Sequence, residues 1–377
     1  MPELPEVEAA RVLVHNYCTG KRIEQATAAD DTKVIEGVTP EELQNALQGR
    51  TIVDAHRKGK HLWLELDGDS PAVLFHLGMT GYMVVEGVPI VQYVNAKKRG
   101  EEWPPKYWKV VIETDCGVKL AFCDPRRFGK IRLQADPENN EPISKLGFDP
   151  ILSMPDLDTF SAMLRKQKRA VKPLLLDQSF SAGVGNWVAD EILYQARIHP
   201  EQKAASLDEA QCSALHHQMQ AVPQTAVEAG ADSEKFPKTW LFHQKWGNGK
   251  KGPAPRLDGN KIEYKQVGGR TTAFVPALQK LTAQAAEKPK PAKKAAENGD
   301  TAGAAAPKQA RKRAATKAPK AQAAADEEES EEEPEEEPEE EPEEDVKPKK
   351  KGKKSKAANG RDEGKKAAPA KTRGRKS

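Results

Sequence analysis

After about Gln284 the chain changes character, and that break decides how much of it can fold. From there on the composition collapses into Ala, Pro, Lys and Glu. Residues 326–345 hold 16 acidic side chains among 20, interrupted by prolines, and residues 347–377 hold 14 Lys or Arg against two acids. Neither block has the apolar surface to offset the entropy of ordering, so residues 286–377 are expected to be disordered. Residues 1–285 leave room for two ordinary domains. The tail also takes 24 of the 60 basic and 21 of the 57 acidic groups, leaving 36 of each sign in residues 1–285. The folding part is neutral in sum. Any face for nucleic acid must come from segregation of charge.

Other classes fall away quickly. The four cysteines, Cys18, Cys116, Cys123 and Cys212, form no C-x-x-C pair. Neither a zinc ribbon nor a disulfide framework is suggested, and scattered free thiols fit a reducing compartment. No run of 18 apolar residues exists to span a membrane, and no apolar signal segment stands at the start.

Periodicity divides residues 1–285 into three stretches. Residues 5–18 read as a helix with Val7, Ala10, Val14 and Tyr17 on one stripe. Short β-type runs follow at Leu62–Leu66, Ala72–His76, Tyr82–Val85, Tyr107–Glu113, Val118–Phe122 and Lys130–Leu133, separated by turn residues. Many short strands close together suggest a sandwich or a barrel. Prolines punctuate residues 137–155. From Asp156 helical spacing takes over, with helices expected at Asp156–Ala170, Asn186–Ile198 and Leu207–Ala229, the last broken at Pro223. Residues 240–276 return to Gly-rich, strand-like sequence and read as a small hairpin.

Several short motifs carry possible chemistry. Methionine before a small residue is normally trimmed, which would leave Pro2 as a terminal secondary amine. An α-amino group titrates near pH ~8, so part of it is unprotonated at neutral pH and able to attack an electrophilic carbon. Glu3 places a carboxyl one residue away for proton transfer. A catalytic Pro2 would forbid an uncleaved targeting peptide ahead of it. The bland alternative is a proline at a helix start. Lys60 lies at a hairpin in Arg57-Lys58-Gly59-Lys60-His61; read blandly, it is a solvated turn lysine. His76-Leu77-Gly78-Met79-Thr80-Gly81 suits a tight loop displaying Met79, either a core methionine or an apolar wedge into a base stack. Asp124-Pro125-Arg126-Arg127-Phe128-Gly129 puts guanidinium groups and a ring at a turn. Arg126 could read a base edge and Phe128 fill the gap of a missing base. Gly183-Val184-Gly185-Asn186 precedes a helix, with Asn186 as its N-cap and the loop amides as a phosphate site. Lys168, Arg169 and Lys172 add charge upstream. Gly268-Gly269-Arg270 reads as a hairpin turn with Arg270 at its tip.

Taken together, these motifs resemble formamidopyrimidine-DNA glycosylases of the Fpg/Nei family, collinearly over about residues 1–285. The start Met1-Pro2-Glu3-Leu4-Pro5-Glu6-Val7 is the most specific part, and Leu4 favours the formamidopyrimidine branch. The resemblance implies an α+β multidomain fold. An N-terminal helix and β-sandwich would fill 1–138, a linker 139–155, a helix–two-turn–helix domain 156–238, and a β-hairpin finger 239–285, with the disordered tail at 286–377. It implies Pro2 as the nucleophile that attacks C1′ of a damaged nucleotide, and Glu3 as acid and base, with Glu6 in the same carboxylate cluster. Lys60 would contact the phosphate beside the lesion and assist elimination, and Arg270 would be the arginine of the finger. Met79, Arg126 and Phe128 would fill the void in the duplex, while Lys168, Lys172 and Asn186 would grip DNA. The reaction implied is base removal followed by β- and δ-elimination at the abasic site.

Three departures stand out. No cysteine lies between Lys238 and Leu281, which implies a zincless finger and no metal or other cofactor. Trp108 replaces a DNA-contacting His. Ala231–Trp246 is short for the loop that closes over 8-oxoguanine, leaving that lesion open and ring-opened purines expected. The tail resembles extensions of plant members. The expected partner is damaged double-stranded DNA, bound by a monomer with no membrane contact. The expected location is the nucleus, with the tail free to touch DNA or chromatin proteins through Lys308–Lys320 and Lys347–Lys356. Two other readings stay open: a non-catalytic binder of damaged or abasic DNA, and a chromatin or scaffold protein dominated by its tail.

Overall fold

The computed structural model describes residues 2–89, 102–247 and 255–281. The charged tail over 286–377, with both of its basic segments, lies outside the described residues. Helix α1 (Leu4–Cys18) opens the chain. Strand β1 (Ile23–Ala28), helix α2 (Pro40–Leu47), and strands β2 (Ile52–Lys58), β3 (His61–Leu66), β4 (Ala72–His76), β5 (Tyr82–Val85), β6 (Trp108–Thr114), β7 (Lys119–Cys123) and β8 (Lys130–Gln134) follow. The strands form two antiparallel sheets ordered β1-β6-β7-β5 and β2-β3-β4-β8. Their inner faces share one core that includes Ile23, Ile52, Leu62, Met83 and Ile131, with Phe75 and Phe122 edge to face at 5.5 Å. Each such side chain taken fully from water contributes roughly 1.5–3 kcal/mol. The fold is thus the expected sandwich.

Helix α1 buries Val7, Ala10, Val14 and Cys18, but Tyr17 remains 39% exposed. The stripe therefore turns to Cys18, four residues after Val14, instead of to Tyr17. Strand β1 and helix α2 have no counterpart in the sequence reading, and β2 was anticipated only as the unbounded first arm of the hairpin at Lys60. β1 is polar on its outer face, and β2 carries His56, Arg57 and Lys58, so neither shows a clean apolar alternation.

The helical part comprises α3 (Leu157–Arg165), α4 (Val171–Leu176), α5 (Asn186–Gln195) and α6 (Glu209–Glu228). Asp156 caps α3 by accepting from Thr159 N at 2.9 Å. The expected helix to Ala170 stops at Arg165, because the next backbone groups pair elsewhere. Ala204 N donates to Arg169 O, and Val171 N donates to Gln202 O. Helix α6 runs unbroken through Pro223. The lost hydrogen bond and ring clash cost about 3 kcal/mol, offset here by burial of Leu215, Met219, Val222 and Ala226 against the other helices.

The segment expected as a linker, 139–155, is packed. Ile143 joins Trp63, Ala72 and Leu74 in an apolar cluster, and Asp149 is fully buried. The finger follows a short 3-10 run at Leu241–Gly247 and has two ladders, β9 (Arg256–Leu257) with β10 (Asn260–Lys261), and β11 (Glu263–Val267) with β12 (Arg270–Phe274). Tyr194, Leu241, Leu257, Ile262, Ala273 and Val275 form its apolar core. Among the described residues no group of three His, Cys, Asp or Glu is placed to hold a metal ion.

Candidate functional site

The start of the chain docks onto the start of α5. Pro2 and Glu3 are buried there, and Leu4 N donates to Gly183 O at 3.0 Å. The Glu3 carboxylate takes two α5 amides, Trp187 N to Oε1 at 2.9 Å and Val188 N to Oε2 at 3.0 Å. The positive end of a helix suits a carboxylate well. The N-cap is Gly185, not Asn186, and two amides expected to face a phosphate instead orient Glu3. Only a glycine leaves the Glu3 carboxyl this place. A Cβ at residue 185 would lie 2.2 Å from Glu3 Cδ.

Glu6 completes this corner. Its Oε2 accepts Glu3 N at 2.9 Å and its Oε1 accepts the Trp187 indole at 3.2 Å. Burial, and next the neighbouring Glu3, push its carboxyl up to about 7. Trp187 in turn packs against Phe236, Trp240 and Phe242. The short segment Ala231–Trp246 thus spends much of its apolar surface beneath α5.

The β2–β3 turn brings Lys60 to the same corner. A Cβ at Gly183 would lie 2.8 Å from Leu4 Cβ and 3.1 Å from Gly59 Cα, so the loop before α5 is pressed between the chain start and this turn. Lys60 itself is half-buried. Strand register extends the site sideways. Lys58 faces His61, His61 faces His76, and His76 faces Lys130. The Lys60 turn, the loop after His76 and the loop before Lys130 therefore leave from one end of one sheet. The His61 and His76 rings stack at a tilt, 4.9 Å apart. Burial holds both neutral, His61 at about 3 and His76 at about 4.

That sheet end gathers the expected void-filling trio. Met79 is half-buried, while Arg126 and Phe128 are exposed, with the guanidinium 5.0 Å above the ring. Asp124 ties the two loops together. It is fully buried and accepts Thr80 Oγ1 at 2.6 Å, Arg126 N at 3.2 Å and Gly129 N at 2.6 Å. Arg127 points elsewhere, into a bidentate pair with Asp31. Trp108 begins β6 and is half-buried.

The third group links the helices to the finger. Asn186 Nδ2 donates to Thr271 O at 3.0 Å, next to Arg270. Lys172, expected on the DNA face, is fully buried. Its ammonium meets Asp190 at 2.7 Å and Thr272 Oγ1 at 2.6 Å. Burial pulls it down to about 8, against the attraction of Asp190. In this structure the ammonium is a buried brace under β12 and not an exposed contact. Asp190 also pairs with Lys245 and accepts Ala273 N. Lys168 is exposed as expected, whereas Arg169 pairs with Asp177 at 2.6 Å. Arg270 is half-buried at the start of β12.

Sequence reasoning passed over Arg57, Asp124, Asp149, Trp187 and Asp190. Only Asp124 had a local signal, the Asp-Pro turn.

Residues 1–131 match the formamidopyrimidine-DNA glycosylase N-terminal domain, and residues 146–238 match the formamidopyrimidine-DNA glycosylase H2TH domain. A formamidopyrimidine-DNA glycosylase from Arabidopsis thaliana is 50% identical over 290 residues, covering 76% of this chain and 73% of its own. The Lactococcus lactis glycosylase, solved non-covalently bound to DNA containing an AP site, superimposes with a TM-score of 0.59 at 29% identity, covering 74% of this chain and 99% of that one. The same bacterial enzyme with N7-benzyl-Fapy-dG DNA gives the same score and identity, covering 74% and 100%.

Proposed function

Because the chain belongs to the formamidopyrimidine-DNA glycosylase family, a family of DNA repair enzymes, we propose that it excises ring-opened and oxidised purines from duplex DNA through Pro2 and then cleaves the strand. Once Met1 is removed, the Pro2 nitrogen attacks C1′ of the flipped nucleotide, the sugar ring opens with a proton to its oxygen, and the base departs. The resulting iminium acidifies the C2′ proton. Its loss expels the 3′ phosphate, and a second elimination expels the 5′ phosphate. Glu3 is the proton carrier. Its carboxyl is aimed by the Trp187 and Val188 amides and backed by Glu6. Lys60 serves the phosphate beside the lesion and the elimination. Met79, Arg126 and Phe128 enter the duplex where the nucleotide leaves, offsetting an unstacking cost of a few kcal/mol. Asn186, Lys168 and Arg270 serve the backbone.

The observation that carries this reading is the meeting of three sequence-distant pieces at one corner: the Pro2–Glu3 start, the Gly59–Lys60 turn and the Gly183–Asn186 loop. Borohydride added to the protein on abasic or Fapy-containing duplex tests it. Covalent trapping, reduced in Pro2→Gly, is the expected outcome. Binding without any adduct would instead identify a damaged-DNA binding protein. The basic segments of the tail extend the proposal to a nuclear address. Deleting residues 286–377 should abolish nuclear accumulation and leave trapping intact.

A further inference from the structure

Arg57 and Asp149 form a knot that neither catalysis nor DNA contact accounts for. Both side chains are completely buried. Asp149 Oδ2 receives Arg57 Nη1 at 2.5 Å and the Gly59 amide at 2.9 Å. Its Oδ1 receives the Ile151 and Leu152 amides at 3.0 and 3.2 Å, and Arg57 Nη2 at 3.3 Å. Arg57 spends its remaining donors locally. Nε donates to Glu8 Oε2 on α1 at 2.8 Å, and Nη1 also donates to Gly59 O at 3.1 Å. Both polar groups of Gly59 are therefore committed to this pair. The segment 147–153 that carries Asp149 acts as a strap back to the site, since Ala182 N donates to Phe148 O at 2.8 Å just before the Gly183–Asn186 loop.

One guanidinium thus touches the helix that carries Pro2 and Glu3, the turn that carries Lys60, and the strap that supports the loop beneath Glu3. A buried ion pair is a poor source of net stability compared with apolar packing, but its directional bonds fix register. We propose that Arg57 and Asp149 are positioning residues for strand cleavage, holding the Lys60 turn in register with the Pro2 helix. The inference rests on the role given to Lys60 above. Neither side chain is exposed to meet DNA. Their effect passes through the placement of one ammonium group, where a displacement of about 1 Å can cost on the order of 100-fold in rate.

A double-mutant cycle tests this. Single-turnover cleavage of a preformed abasic duplex is measured for the full-length protein, Lys60→Ala, Asp149→Asn and the double variant, with each rate expressed per borohydride-trappable molecule. Asp149→Asn should slow cleavage roughly 10- to 100-fold with DNA affinity changed less than about threefold. Added to Lys60→Ala, it should slow cleavage by less than about threefold further, because its route of action is already gone. Full additivity, or a loss confined to DNA affinity or the fraction folded, would overturn the proposal. If Lys60→Ala alone leaves cleavage unchanged, the role of Lys60 falls and the inference with it. Where Asp149→Asn does not fold, Arg57→Lys carries the same cycle, since a lysine keeps the charge but cannot reach Glu8, Gly59 and Asp149 together.

Discussion

At the scale of single residues, the site depends on a few positions where an added or lost atom has nowhere to go. Gly185→Ala would place a methyl 2.2 Å from Glu3 Cδ, forcing the carboxyl off the α5 amides. We expect base excision and trapping to fall roughly 100-fold while the circular dichroism spectrum stays native. Glu6 supplies a pH signature. Burial and the nearby Glu3 hold its carboxyl at about 7, above the ordinary 4.5. The folded state therefore holds the extra proton between those values, and the Glu6 contribution to stability is lost as pH rises from about 4.5 to 7. Urea titrations should show Glu6→Gln gaining on the parent across that window, by on the order of 3 kcal/mol at most. Pro2, Glu3, Glu6 and Lys60, which the fold brings to one corner, could be singled out in the sequence because each sits in a short, self-contained motif. Asp149 and Trp187 were not. They lie 92 residues from Arg57 and 181 from Glu6, and no local period records such a distance.

Among the elements, strands were read well wherever apolar alternation was clean, as in β3, β4 and β5. They were missed where solvent claimed one face, as in β1. The Pro223 break was misplaced for a related reason. Local propensity argued for an end, and burial of both flanks of α6 argued more strongly for continuation. The finger is the element with most at stake, since it has a small core and no cysteines. Asp190 on α5 braces it through Lys172, Lys245 and the Ala273 amide. Asp190→Ala would leave two buried ammonium groups facing each other without a counter-charge. The expected cost is about 3–5 kcal/mol, read by urea denaturation. Amide exchange should accelerate first in β11 and β12, and DNA affinity should weaken through Arg270.

On the scale of the whole molecule, the described residues are tied together by bonds between chain segments far apart in sequence. The two architectural halves could be anticipated from the switch between strand-like and helical spacing. The corner where they meet could not, because it consists of backbone amides, glycines and buried charges whose partners become neighbours only on folding. The Glu3 clasp on α5 also has a consequence in time. Its two halves are separated by 184 and 185 residues, so at about 5–20 residues per second the ribosome delivers α5 roughly 10–40 s after the chain start. During that interval Pro2 and Glu3 lack the loop and helix end that later cover them, and Met1 stays open to an aminopeptidase. Afterwards Pro2 is buried. Nascent chains arrested before residue 186 should already lack Met1 by mass spectrometry, and folded protein purified with Met1 retained should resist trimming. Exposure of the Pro2 amine then has a deadline, set by the translation of the helix that comes to bury it.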